Sequence, residues 1–392
     1  MPNDENWKEF SRWGDVYGDI VYARVLNQDI VILNSYDTAV ELLERRSAIY
    51  STRPHLVMAG DLIGWAYGTA LLPYGDRLKR SRKLLHDGMS LKAMEDLWPL
   101  LEREALKYIR RLADTPEEFA QHIRQTAGSI VIKLTYGYDV KDNKDHFIVL
   151  ADEAVDMFSK VTAPGAFLVD TFPSLKYLPW APFKSKAREW RKMLLNLVNE
   201  PMQFAKEQMQ KGQTDPFLVM RWLEQEAQPG QQSAAEIEER ESLIKWAAMS
   251  LYGGGADTTV SSILTFFAAM IYYPSVQKNA QEEIDRVVGK DRLPSYSDRS
   301  QLPYIEALYK EVLRWYPVIP LGVPHSLGSD KDDIFQGMRI PNNSMIVPNI
   351  WRMVRDPGTY RDPSIFNPER FLGRSGASEK NPEDIIFGFG RR

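Results

Sequence analysis

The sequence predicts a mainly α-helical fold with a small β region, and three observations indicate it. Apolar residues recur at helical spacing through most of the stretch from Thr38 to Glu239. An apolar-rich segment of about Ile237 to Tyr273 continues the helical pattern until Pro274 ends it. Short β-branched runs stand near the start of the chain and again after Pro320. We therefore expect residues 1–392 to form a single helix-rich domain.

Composition excludes several classes of protein. Hydrophobic residues make up 44% of the 392, enough for a sizeable core. Lys plus Arg number 49 and Asp plus Glu 53, a net charge of −4, so we expect no nucleic-acid partner. The chain has no cysteine, which excludes disulfides and cysteine-ligated metals within these residues. No segment reaches the roughly 18 apolar residues of a membrane span, so we expect a soluble or peripheral chain.

The elements follow in order along the chain. The first is a helix around Trp7 to Trp13, and the second is a hairpin of Asp19–Ala23 and Asp29–Leu33 turning at Asn27-Gln28. Further helices are predicted from periodicity at about Thr38–Arg45, Lys79–Leu85, Leu97–Leu112, Phe119–Tyr136, Asp145–Phe158 and Ala187–Lys211.

Two loops and a terminal β part complete the prediction. Pro164–Pro182 is too apolar for disorder and is interpreted as a folded surface loop, whereas the polar stretch Gln225–Ser233 is interpreted as an exposed loop. Helices are expected at about Ser275–Val288 and Tyr304–Trp315. We expect Ile334–Ile340 to pair with Met345–Val347 across Pro341-Asn342-Asn343.

The long helix contains the run Gly253-Gly254-Gly255-Ala256-Asp257-Thr258-Thr259. Each glycine inside a helix costs about 1 kcal/mol relative to alanine, so three together indicate a purpose other than stability. Small residues allow a flat group to approach the backbone, and a locally opened helix would also make a pocket. Asp257 and Thr258 could then relay protons. The alternative is a close helix–helix contact, with Asp257 and Thr258 facing water.

Three further motifs are uninformative when taken singly. Glu311 and Arg314 stand at i and i+3, the spacing of an ordinary surface ion pair. Asn367–Phe371 is a turn with an arginine and an aromatic residue. Phe387–Arg392 alternates aromatic residues and glycines before two arginines, which suits either a loop against a flat anionic cofactor or a frayed terminus.

Their order is informative. A Gly-Ala-Asp-Thr-Thr helix, then Glu-x-x-Arg, Pro-Glu-Arg-Phe and Phe-x-x-Gly-x-Arg resembles the cytochrome P450 family over essentially the whole chain. Tyr17–Val21 and Tyr74–Arg77 fit the flanks of that pattern, and Pro348–Trp351 is similar to fungal microsomal members.

The resemblance implies roles for particular residues. Glu311, Arg314 and Arg370 would form a buried structural charge triad, which is tolerable only when the charges are mutually paired. Asp257 and Thr258 would be the catalytic pair that delivers protons for cleavage of the O–O bond.

The resemblance also implies haem b, iron protoporphyrin IX, as the cofactor. Arg82, His325 and Arg392 would pair with its propionates. Gly254 and Ala256 would cross its distal face, and Phe387 and Gly390 would belong to the loop on the other side, so that all line one cavity. The family usually has a tryptophan four residues before the first arginine, whereas this chain has Leu78 there, which predicts a weaker hold on one propionate.

The family pattern extends beyond this sequence at both ends. The axial cysteine would follow Arg392, so no metal ligand is assigned within the chain. The final helix and the N-terminal membrane anchor of the family are also not among these residues. We therefore expect a fold incomplete at both ends, and no thiolate-ligated haem from residues 1–392 alone.

The implied function is insertion of one oxygen atom from O2 into an apolar organic substrate, in secondary metabolism or xenobiotic oxidation. Electrons would come from NADPH through NADPH-cytochrome P450 reductase, at the cytosolic face of the endoplasmic reticulum membrane. The apolar segments Leu56–Tyr67 and Val318–Val323 would face the substrate. One alternative is a non-catalytic remnant or pseudoenzyme, because the cysteine is absent, and another is a helical scaffold, against which the four ordered motifs argue.

Overall fold

The fold is mainly helical, as predicted. A computed structural model describes residues 5–142, 144–163, 165–212, 215–225, 233–373 and 379–391. Its α-helices, in chain order, are α1 Asn6–Tyr17, α2 Tyr36–Ala39, α3 Ser47–Tyr50, α4 Asp76–Gly88, α5 Leu91–Glu95, α6 Trp98–Asp114, α7 Phe119–Tyr136, α8 His146–Thr162, α9 Leu168–Thr171, α10 Pro182–Gln210, α11 Leu218–Gln225, α12 Ala234–Tyr272, α13 Pro274–Val287, α14 Pro303–Trp315, α15 Ile350–Met353 and α16 Glu383–Ile386.

Shorter turns of other pitch link the α-helices. Two segments, Val40–Arg45 and Val57–Ile63, are π-helical, a rare conformation often found at functional sites. The 3₁₀ turns are Trp65–Tyr67, Pro116–Glu118, Pro173–Tyr177, Tyr296–Gln301 and Pro368–Phe371. The predicted helices exist within a few residues of their expected bounds, and α7 has the predicted bounds.

The chain divides into two compact units. The first unit comprises Met1–Pro54 and Ser261–Arg392, and the second unit is His55–Val260. The division falls inside α12, between Val260 and Ser261. A single domain over residues 1–392 stays a prediction.

The first unit contains the β structure of the described residues. Its strands are β1 Ile20–Val25, β2 Gln28–Leu33, β3 His325–Ser326, β4 Asp333–Phe335, β5 Met338–Ile340 and β6 Met345–Pro348. A four-stranded sheet has the order β1-β2-β6-β3, in which β2 and β6 are parallel and the outer pairs are antiparallel. Ile32, Leu33 and Ile346 on the two central strands are fully buried, because each lies between two neighbouring strands.

The predicted pairing of Ile334–Ile340 with Met345–Val347 is wrong. β4 instead pairs with β5, and β6 pairs with β2 and β3. Gln336 and Gly337 have φ angles of +51° and +77°, so the predicted strand reverses in a two-residue turn. Positive φ at both central residues is the geometry of the tightest hairpins, and the Gln-Gly pair was the missed sequence signal.

The second unit buries a single large apolar cluster. α7, α8, α10, α11 and the first part of α12 contribute to it, with fully buried residues that include Leu194, Val198, Ile244 and Ala247. By length and composition alone, α12 could also cross a membrane, which the sequence analysis did not anticipate. One such helix is weak evidence for a membrane span, because a core helix can have the same length and composition; 28% of its apolar 18-residue window is buried.

The start of α14 is fixed by a buried carboxylate from α13. Glu283 is 7% exposed and accepts hydrogen bonds from the backbone N–H groups of Tyr304, at 3.1 and 2.9 Å, and Ile305, at 3.0 Å. These N–H groups belong to the first turn, where a helix offers no internal partner and where its dipole favours negative charge. Glu283 therefore holds α14 in the first unit.

Replacing Glu283 with alanine is expected to lower the free energy of unfolding by about 1–2 kcal/mol, because buried N–H groups lose their acceptor. Urea unfolding followed by circular dichroism measures the change. Glu282→Ala is the matched control, since that neighbouring side chain is 64% exposed and lies 3.7 Å from Lys278. Equal losses in the two variants would contradict the capping role.

Candidate functional site

Glu311 lies at the centre of a buried charge cluster in the first unit. Its carboxylate, on α14, accepts hydrogen bonds from Arg314 Nε at 2.7 Å and Nη2 at 2.8 Å, a bidentate pair. Arg370 Nε donates to the same carboxylate at 3.2 Å. Glu311 and Arg314 are 0% exposed and the Arg370 side chain is 3% exposed. The three residues of the expected triad are therefore in direct contact.

The remaining donors of Arg314 bind backbone carbonyl groups. Arg314 Nη1 donates to the carbonyls of Val354 and Pro363, both at 2.9 Å, and Nη2 donates to that of Ile365 at 3.3 Å. The Asn367 N–H donates to Glu311 at 2.7 Å. These bonds join α14 to the loop from Val354 to Asn367, so the cluster fixes irregular backbone.

A fourth charged residue, Glu379, completes the cluster. Its carboxylate accepts a hydrogen bond from Arg370 Nη1 at 2.8 Å and another from the Arg361 N–H at 3.0 Å. Glu311, Arg314, Arg370 and Glu379, together called the buried charge network, carry two negative and two positive charges. The sequence analysis missed Glu379, because a lone glutamate after a loop carries no local signal. Charge balance makes the burial of this network tolerable.

A third guanidinium borders the network. Burial, followed by repulsion from Arg314, lowers the pKa of Arg355 to about 10. Arg355 donates to the Trp315 carbonyl at 2.5 Å and lies 4.5 Å from the centre of the Trp351 ring. Tyr316 and Glu311 act in the opposite direction on this pKa but do not offset the effect of burial.

The C-terminal loop follows α16 and depends on glycine. Gly388 and Gly390 have φ angles of +89° and +64°. A Cβ atom at Gly390 would lie 2.4 Å from the Leu43 carbonyl oxygen, so any side chain there would collide with backbone. Phe389 is 3% exposed and anchors the loop, whereas Phe387 is 67% exposed. Arg391 is exposed, and Arg392 lies outside the described residues.

His325 occupies β3 and is 5% exposed. Its Nδ1–H donates to the Tyr50 carbonyl at 2.7 Å, and its Cα is paired with that of Ile346 across the strands. The ring is therefore held in a fixed orientation. His325 is therefore a buried residue of the sheet and does not lie in a surface turn.

The glycines of α12, in the second unit, divide into two kinds. A Cβ atom at Gly255 would lie 2.9 Å from Val131 Cγ2 on α7, so that glycine serves close helix packing. A Cβ atom at Gly253 or Gly254 would meet nothing within 4 Å. The alternative considered from the sequence, a close helix–helix contact, therefore explains Gly255 only. The face beside Gly254 is open and can accept a flat group. Ala256, which belongs to the same helix, is 8% exposed.

Asp257 and Thr258 follow directly on α12. Asp257 is exposed, and the Thr258 hydroxyl donates to the Gly254 carbonyl at 2.8 Å. α12 remains α-helical throughout, so the locally opened helix considered from the sequence does not form. Burial raises the pKa of Asp152 on α8; Arg124 opposes this shift and Asp257 adds to it. Asp257 therefore lies within electrostatic range of a second carboxyl group.

Arg82 and Leu78 lie on α4. Arg82 is exposed, and within the part of the chain that the structure describes it makes no hydrogen bond or ion pair. Leu78 is 1% exposed and takes the place where the family usually has a tryptophan. Arg82 is thus a cation available to an anion, with no aromatic N–H four residues before it.

Taken within each unit separately, these residues have chemistry suited to haem, with one exception. The open glycine face and the free Arg82 belong to the second unit, and the fixed His325 and the close-packed Gly390 loop belong to the first. The exception is the axial ligand, since the sequence has no cysteine. Among the described residues, no group of three or more His, Asp or Glu side chains could hold a metal ion.

Comparison with known proteins identifies the class. The sequence profile of the family described as cytochrome P450 matches residues 2–392, so the chain belongs to the cytochrome P450 family. It is 44% identical to cytochrome P450 monooxygenase 208 of Postia placenta, over 100% of this chain and 76% of the relative. It is 41% identical to cytochrome P450 monooxygenase ppsD of Aspergillus oryzae, over 100% of this chain and 74% of the relative.

Solved structures agree on the fold. A zebra fish cytochrome P450 structure with progesterone superposes with a TM-score of 0.80 at 22% identity, covering 100% of this chain and 87% of that one. A second zebra fish structure, with abiraterone, gives a TM-score of 0.78 at 22% identity, covering 100% of this chain and 86% of that one. The predicted cytochrome P450 fold, helix-rich with a small β region, is confirmed.

Gly390→Ala is expected to destabilise the protein by more than about 2 kcal/mol, because a Cβ atom cannot fit beside the Leu43 carbonyl. Gly373→Ala is the matched control, since Gly373 has nearly the same φ angle, +65°, but open space around its Cβ position. The control should show only the strain of positive φ, about 1 kcal/mol. Thermal unfolding of both variants measures the difference, and indistinguishable midpoints would refute the close-packing role.

Proposed function

We propose that the protein is a haem-dependent monooxygenase that inserts one oxygen atom from O2 into an apolar organic substrate. In such a hydroxylation, the second oxygen atom leaves as water, with two electrons and two protons consumed. Membership of the cytochrome P450 family and relatives named monooxygenases support the reaction class. The secondary-metabolism or xenobiotic role is our proposal, in line with the fungal origin of the relatives.

The observation that carries the proposal is the open face of α12. Glycines in a helix interior are costly, and Gly253 and Gly254 have no packing neighbour that would require them. One turn further on stand a carboxylate and a hydroxyl, Asp257 and Thr258. The glycines lower the stability of the helix and leave this face without side chains, next to a carboxylate and a hydroxyl that can transfer protons. Such a face suits a bound flat cofactor.

Particular residues would hold the cofactor and move protons. When bound, haem supplies the redox iron that activates dioxygen. Arg82 and His325 would pair with the propionates, joined by Arg392, and Phe387 and Gly390 would form part of the loop that holds the cofactor. Asp257, which is exposed, would take protons from water, and the Thr258 hydroxyl would pass them on by exchanging its bond to the Gly254 carbonyl.

We further propose that NADPH supplies the electrons through NADPH-cytochrome P450 reductase. Such a reductase would place the protein at the cytosolic face of the endoplasmic reticulum membrane. The apolar segments Leu56–Tyr67 and Val318–Val323 would contact the substrate. Within the first of these, Val57, Met58 and Ile63 are fully buried in the apolar cluster of the second unit.

The propionate assignment is tested by titrating purified protein with hemin. Arg82→Ala and His325→Gln should each weaken hemin binding by about tenfold, the effect of losing one charge-assisted hydrogen bond. Lys83→Ala is the control, because Lys83 is the exposed cation next to Arg82, and it should change the affinity less than twofold. If Lys83→Ala weakens hemin binding as much as Arg82→Ala does, the effect is general electrostatic attraction, and the pairing of Arg82 with a propionate is wrong.

The monooxygenase assignment is tested by the reduced carbon-monoxide difference spectrum. Residues 1–392 contain no cysteine and should give no thiolate-type Soret band. A chain extended after Arg392 with the family's cysteine loop and final helix should give that band and, with reductase and NADPH, consume oxygen. A thiolate band from residues 1–392, or none from the extended chain, would contradict the proposal, and the second result would favour the non-catalytic remnant.

A further inference from the structure

Tyr50 lies in a stretch of backbone that is held on both sides by hydrogen bonds within the first unit. One residue before it, the Ile49 carbonyl accepts a hydrogen bond from the Gly328 N–H at 2.8 Å. Two residues after it, the Thr52 carbonyl accepts a hydrogen bond from the Ser326 N–H at 3.0 Å. The backbone of Tyr50 is therefore fixed against the chain around β3.

The side chain of Tyr50 is fixed as well. It is 0% exposed, and its hydroxyl donates to an Asp333 carboxylate oxygen at 2.9 Å, to which Arg46 Nη1 also donates at 2.8 Å. Burial, followed by the hydrogen bond to Asp333, raises the pKa of Tyr50, so its hydroxyl remains protonated and donates. The Tyr50 carbonyl therefore has one defined position.

The Tyr50 carbonyl determines which nitrogen of the His325 ring carries hydrogen. Tyr50 is the last residue of α3, where helix carbonyls have no internal partner, and its carbonyl oxygen lies 2.7 Å from His325 Nδ1. A carbonyl oxygen can only accept, so Nδ1 must be the protonated nitrogen of the neutral ring. Nε2 of the neutral ring then has a lone pair and can accept a hydrogen bond but cannot donate one.

We infer that Tyr50 is a positioning residue that makes His325 bind a carboxylate only as an imidazolium, so that binding takes up one proton from water at Nε2. A carboxylate is also only an acceptor, so it is repelled by the lone pair of the neutral ring and accepts a hydrogen bond from the protonated ring. That this carboxylate is a haem propionate rests on the proposed function. Through His325, binding of the cofactor becomes coupled to pH.

The charged groups on the segments packed against β3 surround His325 as follows. Arg53 Nη1 donates to the carbonyls of the two residues before His325, at 2.5 and 2.9 Å, which places a cation beside the strand. The Asp333 carboxylate is bound by Tyr50 and Arg46, and β6, which pairs with β3, has no ionisable side chain. A bound carboxylate therefore supplies negative charge that favours the imidazolium against the opposing charge of Arg53.

The first test measures the ring nitrogens of His325 by ¹⁵N NMR at about pH 8, with labelled histidine and without hemin. The inference predicts hydrogen at Nδ1 and none at Nε2. His146 is the internal control, because its Nε2 lies 2.5 Å from a Glu200 carboxylate oxygen and must carry the hydrogen there. His325→Gln identifies the His325 signals, and hydrogen at Nε2 of the neutral His325 ring would overturn the positioning role.

The second test compares the hemin affinity of the wild type with that of His325→Gln, whose side chain cannot ionise. An ordinary histidine titrates at about pH 6.5, so its imidazolium is available below that pH and is lost as the pH rises. The wild type should bind hemin about tenfold more tightly than the variant at about pH 6, and within about twofold at about pH 8.5. His86→Gln, which removes a histidine whose side chain is 82% exposed, should keep the wild-type pH dependence.

Hemin dimethyl ester is the matched ligand control, because it has no propionate charge to bind an imidazolium. Its affinities for the wild type and His325→Gln should agree within about twofold at both pH values. A hemin affinity ratio that does not change with pH would overturn the inference, as would the same change with the ester. The NMR test requires no haem, and the thiolate-type Soret band does not depend on the tautomer of His325, so failure of this inference is distinguishable from failure of the proposed function.

Discussion

The first unit depends on one carboxylate that is entirely removed from water. Glu311 receives two guanidinium groups and a backbone N–H, and through them α14 is joined to the loop that runs from Val354 to Arg370. A buried ion pair is not a stabilising device in itself, since the cost of desolvation offsets most of the attraction. Removing any one charge, however, leaves a partner buried and unpaired, which is strongly destabilising. Glu283 fixes the start of the same helix, so α14 is constrained along its length.

Two glycines, Gly390 and Gly254, differ in what surrounds the position where a side chain would begin. Gly390 lets the C-terminal loop lie against the backbone of Leu43, while Gly254 leaves one face of α12 bare. These two glycines differ in cause. The first is required by packing, because alanine there would collide with backbone. For the second, no described atom lies within 4 Å of the Cβ position, so packing does not require it. The distinction supports a cofactor more directly than the glycine content of the motif does.

Sequence reasoning succeeded where the signal is local. The helical period of α7 is local, and that helix appears as expected. The i, i+3 spacing of Glu311 and Arg314 alone indicated an ordinary surface pair, and only the family resemblance implied that the pair is buried. The Gln336-Gly337 turn also has a local sequence signal, but it was overlooked because Ile334–Ile340 was predicted as one continuous strand. Glu379 and Glu283 could not have been found from periodicity, since their partners Arg370 and Tyr304 lie 9 and 21 residues away, beyond the reach of one helical turn. A carboxylate that accepts a hydrogen bond from a backbone N–H far along the chain produces no periodic pattern in the sequence, so only the structure shows the contact.

The central claim is that burial makes the pair of Glu311 and Arg370 interdependent. A double-mutant cycle with Glu311→Gln and Arg370→Gln measures this through the free energy of unfolding. Each single change should cost about 3–5 kcal/mol, and the double change much less than their sum, giving a coupling of about 2 kcal/mol or more. The pair of Arg299 and Glu306, joined at 2.9 Å but exposed, provides the control, with expected coupling below about 1 kcal/mol. Single effects that add to within about 0.5 kcal/mol for Glu311 and Arg370 would contradict the account.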